Sequence, residues 1–157
     1  MERHHFEEEL QALKNRLLTM GALVEERVHQ AVNVAENVIK LLPQPPLKPL
    51  IDIPRMAEIA QQMTRDALDS FVKKDPAMAR DVLRRDDEVD NLKDQVFREL
   101  LTYMMADPGT IQRALALILI SRNIERIADH ATNIAEDVIF LVEAKDVRHH
   151  HQEAEAK

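Results

Sequence analysis

From Phe6 to Leu42 the apolar residues recur in steps of three and four: Phe6, Leu10, Leu13, Leu17, Met20, Val24, Val28, Ala31, Ala35, Val38 and Leu42. Only a helix gathers such positions on one side, so the spacing predicts a single helix of about ten turns with one narrow apolar stripe. A helix that long cannot bury the stripe alone. It needs partner helices from the rest of the chain or from a second subunit. The remainder reads the same way: two glycines in 157 residues, 3% aromatics and abundant Ala, Leu, Glu, Arg and Met are the composition of an all-α protein.

The breaks between helices are explicit. Five prolines, Pro43, Pro45, Pro46, Pro49 and Pro54, stand in LLPQPPLKPLIDIP. Proline lacks the backbone donor and restrains the residue before it, which predicts an extended linker over 43–54. A second helix is expected from about Arg55 to Lys73, ended by Lys74-Asp75-Pro76, with Pro76 suited to the next first turn. A third runs to about Met105, and Asp107-Pro108-Gly109 turns the chain into a fourth, from about Thr110 to Glu143. Residues 55–146 thus form a three-helix antiparallel bundle, and 147–157 form a polar tail.

Part of the sequence repeats. Residues 31–42, AVNVAENVIKLL, match 131–142, ATNIAEDVIFLV, at an offset of 100. A repeat of this kind suggests two related bundles in one chain. Since one helix precedes the linker and three follow it, the first bundle reads as lacking its middle.

The chemistry concentrates in two acidic pairs. Asp86 and Asp90 in RRDDEVD, and Glu125 and Asp129 in SRNIERIADHATNIAEDV, are each four residues apart and so share a helix face. In a hairpin folded at Asp107–Gly109, Asp90 comes level with Glu125 and Asp86 with Asp129. At ~4 Å two like charges repel by about 1 kcal/mol in water, and by several times more where solvent is partly excluded. A bound cation would resolve this, and oxygen donors suit iron, manganese, magnesium or zinc. Ser121, Ala128 and Thr132 on the same face leave room for a neighbouring helix. The alternative is a solvated face neutralised by Arg84, Arg85, Arg122 and Arg126.

Other chemistry is excluded or weakly signalled. A net charge of −7 argues against nucleic-acid binding. No apolar run reaches the ~20 residues of a membrane span, and MERHHFEEEL does not read as a signal peptide, so a cytoplasmic location is expected. The absence of cysteine rules out thiolate metal sites. There is no nucleophile elbow and no phosphate-cradling loop. Among the predicted helices two to four no Glu-x-x-His occurs, which disfavours a carboxylate-bridged di-iron redox protein. His4, His5 and His149–His151 read as incidental composition of polar ends, and His130 as a boundary residue. Met56, Met63, Met104 and Met105 read as core filler.

The blocks SRNIERIADHATNIAEDV, RRDDEVDNLKDQVFRELLTYM and FEEELQALKNRLLTMGALVEERVHQAV, in that spatial context, resemble the PhoU family of phosphate-uptake regulators. The resemblance implies two similar three-helix bundles carrying E/D-x-x-x-D motifs that hold iron or zinc, here at Asp86, Asp90, Glu125 and Asp129. It also implies no enzymatic activity. The implied role is negative regulation, linking a phosphate ABC transporter ATPase to a sensor histidine kinase so that phosphate-starvation genes stay off when phosphate is plentiful. The sequence departs from the family pattern in its shortened first repeat, which leaves Glu25 as the remnant of one motif, and in Ala128, where glycine is usual. With no bundle of its own, the long first helix is expected to meet the same helix of a second subunit or to pack on the intact bundle. A homodimer is the favoured outcome. A metal-free helical adaptor is the alternative.

Overall fold

The computed structural model describes residues 26 and 28–143. Residues 28–41 are helical and form α1. Three longer helices follow: α2 (Asp52–Lys73), α3 (Pro76–Ala106) and α4 (Ile111–Glu143), with a 3-10 turn at Pro108–Thr110 before α4. No strand occurs among the described residues. Short connections force α2, α3 and α4 to run up, down and up as an antiparallel bundle.

Each turn is fixed by its own residues. Helix α2 ends at Lys74, whose backbone enters the left-handed region (φ 53°, ψ 43°). There the N–H of Asp75 donates to the Ser70 carbonyl at 2.9 Å, satisfying an acceptor that the helix end leaves open. The Asp75 carboxylate then caps α3, accepting from the N–H groups of Ala77 and Met78 at 2.9 and 3.1 Å, while Pro76 takes the first helical position. We expect Asp75→Ala to cost about 1 kcal/mol, read as a lower denaturant midpoint with an unchanged slope. The second turn repeats the device: the Asp107 carboxylate accepts from Gly109 N–H at 2.8 Å, and Thr110 Oγ1 donates to the Asp107 carbonyl at 2.7 Å.

The core is built from side chains at helical spacing. Met56, Ala60, Met63 and Ala67 of α2 meet Val82, Val89, Val96 and Leu100 of α3, and Leu117, Ile124, Ala131, Ala135 and Ile139 of α4. Met56 and Met63 are fully buried, but Met105 is 78% exposed and fills no core. It lies one residue from the end of α3, beyond the last buried turn.

Two expectations need correction. Helix α2 begins at Asp52 rather than Arg55, so Pro54 falls inside its first turn, where its missing N–H costs nothing. The linker is also not a free tether. Lys48 is buried and paired with both Asp52 and Glu99, and Arg113 donates to the Pro45 carbonyl at 3.0 Å.

Helix α1 lies antiparallel to α4. Gln30 stands beside His130 toward one end, and Leu41 shares a pocket with Arg113, Leu115 and Leu119 toward the other. The face turned inward carries Gln30, Val34, Asn37 and Leu41. The stripe read from the sequence (Val28, Ala31, Ala35, Val38, Leu42) faces outward and is exposed. The spacing located the apolar face correctly, but not which face meets the chain's own bundle. The expected helix over residues 6–25, including Glu25, and the histidines of both chain ends lie outside the described residues.

A carboxylate cluster between α3 and α4

The four acids lie within electrostatic reach of one another, and two of them share one cation. Helix α3 presents Asp86 and Asp90 one turn apart, and α4 presents Glu125 and Asp129 in the same way. Lys93, three residues after Asp90, sets the register: its ammonium donates to Asp90 Oδ1 at 2.9 Å and to Glu125 Oε1 at 3.1 Å. Asp90 therefore stands level with Glu125, as the hairpin arithmetic requires. Among the neighbouring charges, Asp129 is the one that acts most on Asp86.

The electrostatics of the cluster follow from four carboxylates and a single ammonium. Burial, then repulsion from Asp129, Asp90, Asp87 and Glu125, pushes the Asp86 carboxyl up to about 6. Burial, then Glu125 and Asp90, pushes Asp129 up to about 6 against the opposing pull of Lys93 and Arg126. Burial alone would lower Lys93, but the hydrogen bonds and charges of Asp90 and Glu125 more than reverse it and hold the ammonium above its ordinary value. Burial first, and the crowding of like charge after it, keep both carboxyls above their ordinary range.

Three of the four arginines named from the sequence form their ion pairs outside the cluster, although Arg126 also draws on Asp129. Arg84 pairs with Asp81, Arg85 with Asp66 at 2.5 Å, and Arg126 with Glu26 at 3.1 Å. Lys93 was the missed residue. Its signal was present in the sequence, since a lysine three residues after Asp90 shares that helix face. The small neighbours are quiet: Ala128 is wholly buried, Ser121 Oγ donates to the Ile118 carbonyl at 2.9 Å, and Thr132 Oγ1 donates to the Asp129 carbonyl at 2.7 Å.

The donor set suits a hard or borderline cation, all oxygen and mostly anionic. As the side chains stand, no three His, Asp or Glu groups among the described residues converge closely enough to hold an ion. A cation already bridges two of the four acids: the ammonium of Lys93. Among the described residues no helix is long and apolar enough to cross a membrane.

Antiparallel helices with short capped turns, and a polar site made of carboxylates rather than a nucleophile or a phosphate loop, define an all-α bundle domain with an acidic flank. The chain matches the PhoU domain over residues 53–138 and belongs to that family. It is 40% identical over 136 residues to a phosphate-specific transport system accessory protein PhoU homolog 2 of Thermotoga maritima, covering 87% of this chain and 58% of that protein. It is 44% identical over 128 residues to the Aquifex aeolicus homolog, covering 82% of this chain and 58% of that protein. The crystal structure of PhoU from Pseudomonas aeruginosa superposes with a TM-score of 0.71 at 38% identity, covering 74% of this chain and 56% of that one. The chain thus spans a little over half the length of these relatives. They are named for an accessory role in phosphate transport, not for a catalysed reaction.

Proposed function

We propose that this chain is a non-enzymatic negative regulator of phosphate uptake and of the phosphate-starvation response, acting in the cytoplasm between a phosphate ABC transporter ATPase and a sensor histidine kinase. The observation that carries the reading is the identity of about 40% over more than four-fifths of this chain to phosphate-specific transport system accessory proteins. In this reading two copies act together, and Asp86, Asp90, Glu125 and Asp129 hold a metal ion, iron or zinc before manganese or magnesium. Support for the metal is the shortfall of positive charge in the cluster, seen in the raised carboxyls of Asp86 and Asp129. A bound ion would supply fixed positive charge between α3 and α4. Lys93 supplies part of that charge without it, and would have to withdraw from Asp90 and Glu125 on loading.

Two measurements test this. In a host lacking its own regulator, expressing the chain at high phosphate should repress a phosphate-starvation reporter at least several-fold; an unchanged reporter would end the regulatory reading. Elemental analysis should find about one or more equivalents of transition metal in the purified wild type, and a loss of more than tenfold in Asp90→Ala/Glu125→Ala. Equal and negligible metal in both proteins would instead leave Lys93 as the cation that bridges the cluster and favour a metal-free adaptor.

A further inference from the structure

The outer groove of the α3–α4 hairpin continues past the acids toward the turn, and its chemistry changes on the way. Seven residues make two helical turns with a drift of only about 20°, so positions seven apart share a face. From Asp90 this step leads to Phe97 and Met104, and from Glu125 it leads to Ile118 and Ile111. Lys93 fixes Asp90 level with Glu125, which brings Phe97 level with Ile118 and Met104 level with Ile111. Met104 and Ile118 rest on the core. Phe97 stays 48% exposed and Ile111 40%, with Leu101 (42%) on the outer edge of α3. Roughly a few hundred Å² of contiguous apolar surface at one end of a groove exceeds scattered exposure and marks an interaction site.

The acidic end of the groove says what chemistry belongs there. It already takes one ammonium, that of Lys93 between Asp90 and Glu125. One helical step farther from the turn, Asp86 and Asp129 make no ion pair among the described residues, and only the weaker pull of Lys93 and Arg126 reaches Asp129. A second cation is therefore what this end accepts. Nucleic acid and anionic lipid surfaces are repelled by the same charge, which leaves a protein segment that is basic at one end and apolar at the other. Asp86 and Met104 are 18 residues apart, so the groove runs about 27 Å, the length of a five-turn helix.

We propose that this groove binds a basic amphipathic helix of a partner protein, its Lys or Arg residues at Asp86 and Asp129 and its apolar residues over Phe97, Leu101 and Ile118. A helix laid in a groove is held by anchors three and four residues apart on one face. The apolar end, where Phe97 is the one aromatic anchor, supplies most of the affinity. The acidic end sets the direction of the bound helix and speeds the encounter. A metal ion and the partner's cation draw on the same carboxylates, so metal loading weakens docking. The inference goes beyond the regulatory reading above and needs neither the metal nor the second copy.

Panning a phage library of random peptides of about 18 residues on the whole, chelator-treated chain tests this. The enriched peptides should carry Lys or Arg at one end and Leu, Phe or Met at helical spacing at the other. Their affinity, read by fluorescence anisotropy, should fall at least tenfold on Phe97→Glu/Leu101→Glu. At low salt, where surface charge is least screened, it should fall at least fivefold on Asp86→Asn/Asp129→Asn. Circular dichroism should stay helical in both variants. No enrichment, acidic or uncharged winners, or winners indifferent to either double variant would overturn the proposal. A wild-type dimer that Phe97→Glu/Leu101→Glu splits in sedimentation equilibrium would give the groove to a second copy and overturn it as well.

Discussion

Replacing Lys93 with methionine should cost about 2–3 kcal/mol of stability at pH 7.5 in chelator-treated protein, and most of that loss should disappear by pH 5. Lys93 is the ion-pair partner of both Asp90 and Glu125. Without it the four carboxylates keep only the weaker pull of Arg126 on Asp129. Taking one partner from a fully buried pair costs about 3–5 kcal/mol and from an exposed one under 1. Glu125 is 19% exposed and Asp90 51%, which places this site between those limits. The pH dependence follows from Asp86 and Asp129, each raised from an ordinary value of 3.8 to about 6. Between pH 4 and 6 the folded state binds protons that the unfolded state does not. Stability therefore rises as pH falls through that window, and the full repulsion is felt above it. The wild type should show the same slope, more weakly. Urea melts at pH 7.5, 6 and 5 check this, and a flat profile in Lys93→Met would refute it. Glu125→Gln in the same chain should restore about half of the loss, because it removes one of the stranded charges.

The second large effect is expected at Ala128, which has no exposed surface and lies between Glu125 and Asp129 in sequence. Alanines recur along this helix: Ala128, Ala131 and Ala135 are all fully buried. Small side chains let the helices approach closely enough for acids on their flanks to meet. Ala128→Leu adds three carbons where no space exists, which should cost about 3 kcal/mol and lower the melting temperature by roughly 6–12 °C. Ala128→Gly separates packing from backbone preference. It should cost only about 1 kcal/mol through helix propensity, with the acidic site intact. If leucine were tolerated as well as glycine, close approach at Ala128 would not be what holds the two flanks together.

How much of this was legible beforehand depends on the kind of information involved. The hairpin register could be counted, because Asp90 and Glu125 are equidistant from the Asp107–Gly109 turn to within one residue, as are Asp86 and Asp129. A short capped turn leaves little freedom in that count. Lys93 was harder to find: arginines crowd both acidic segments, and sequence distance does not say which way a long side chain leans. Arg85 reaches α2 instead, and Arg126 reaches toward α1. The outward turn of the α1 stripe was not legible at all. Periodicity reports which side of a helix is apolar. It does not report whether the chain's own bundle or something else covers that side. The inner side, with Gln30 and Asn37 buried beside Val34 and Leu41, is half polar, so no hydropathy pattern would have chosen it.

The clasp around Lys48 has a mechanical consequence. Prolines stiffen the segment between α1 and α2, Asp52 and Glu99 grip its lysine, and Arg113 holds one of its carbonyls. The elbow is therefore welded at once to the base of α2, the lower part of α3 and the start of α4. A load that tilts α1 is not lost in slack chain. It is met at the turn end of the α3–α4 hairpin, by Glu99 and Arg113.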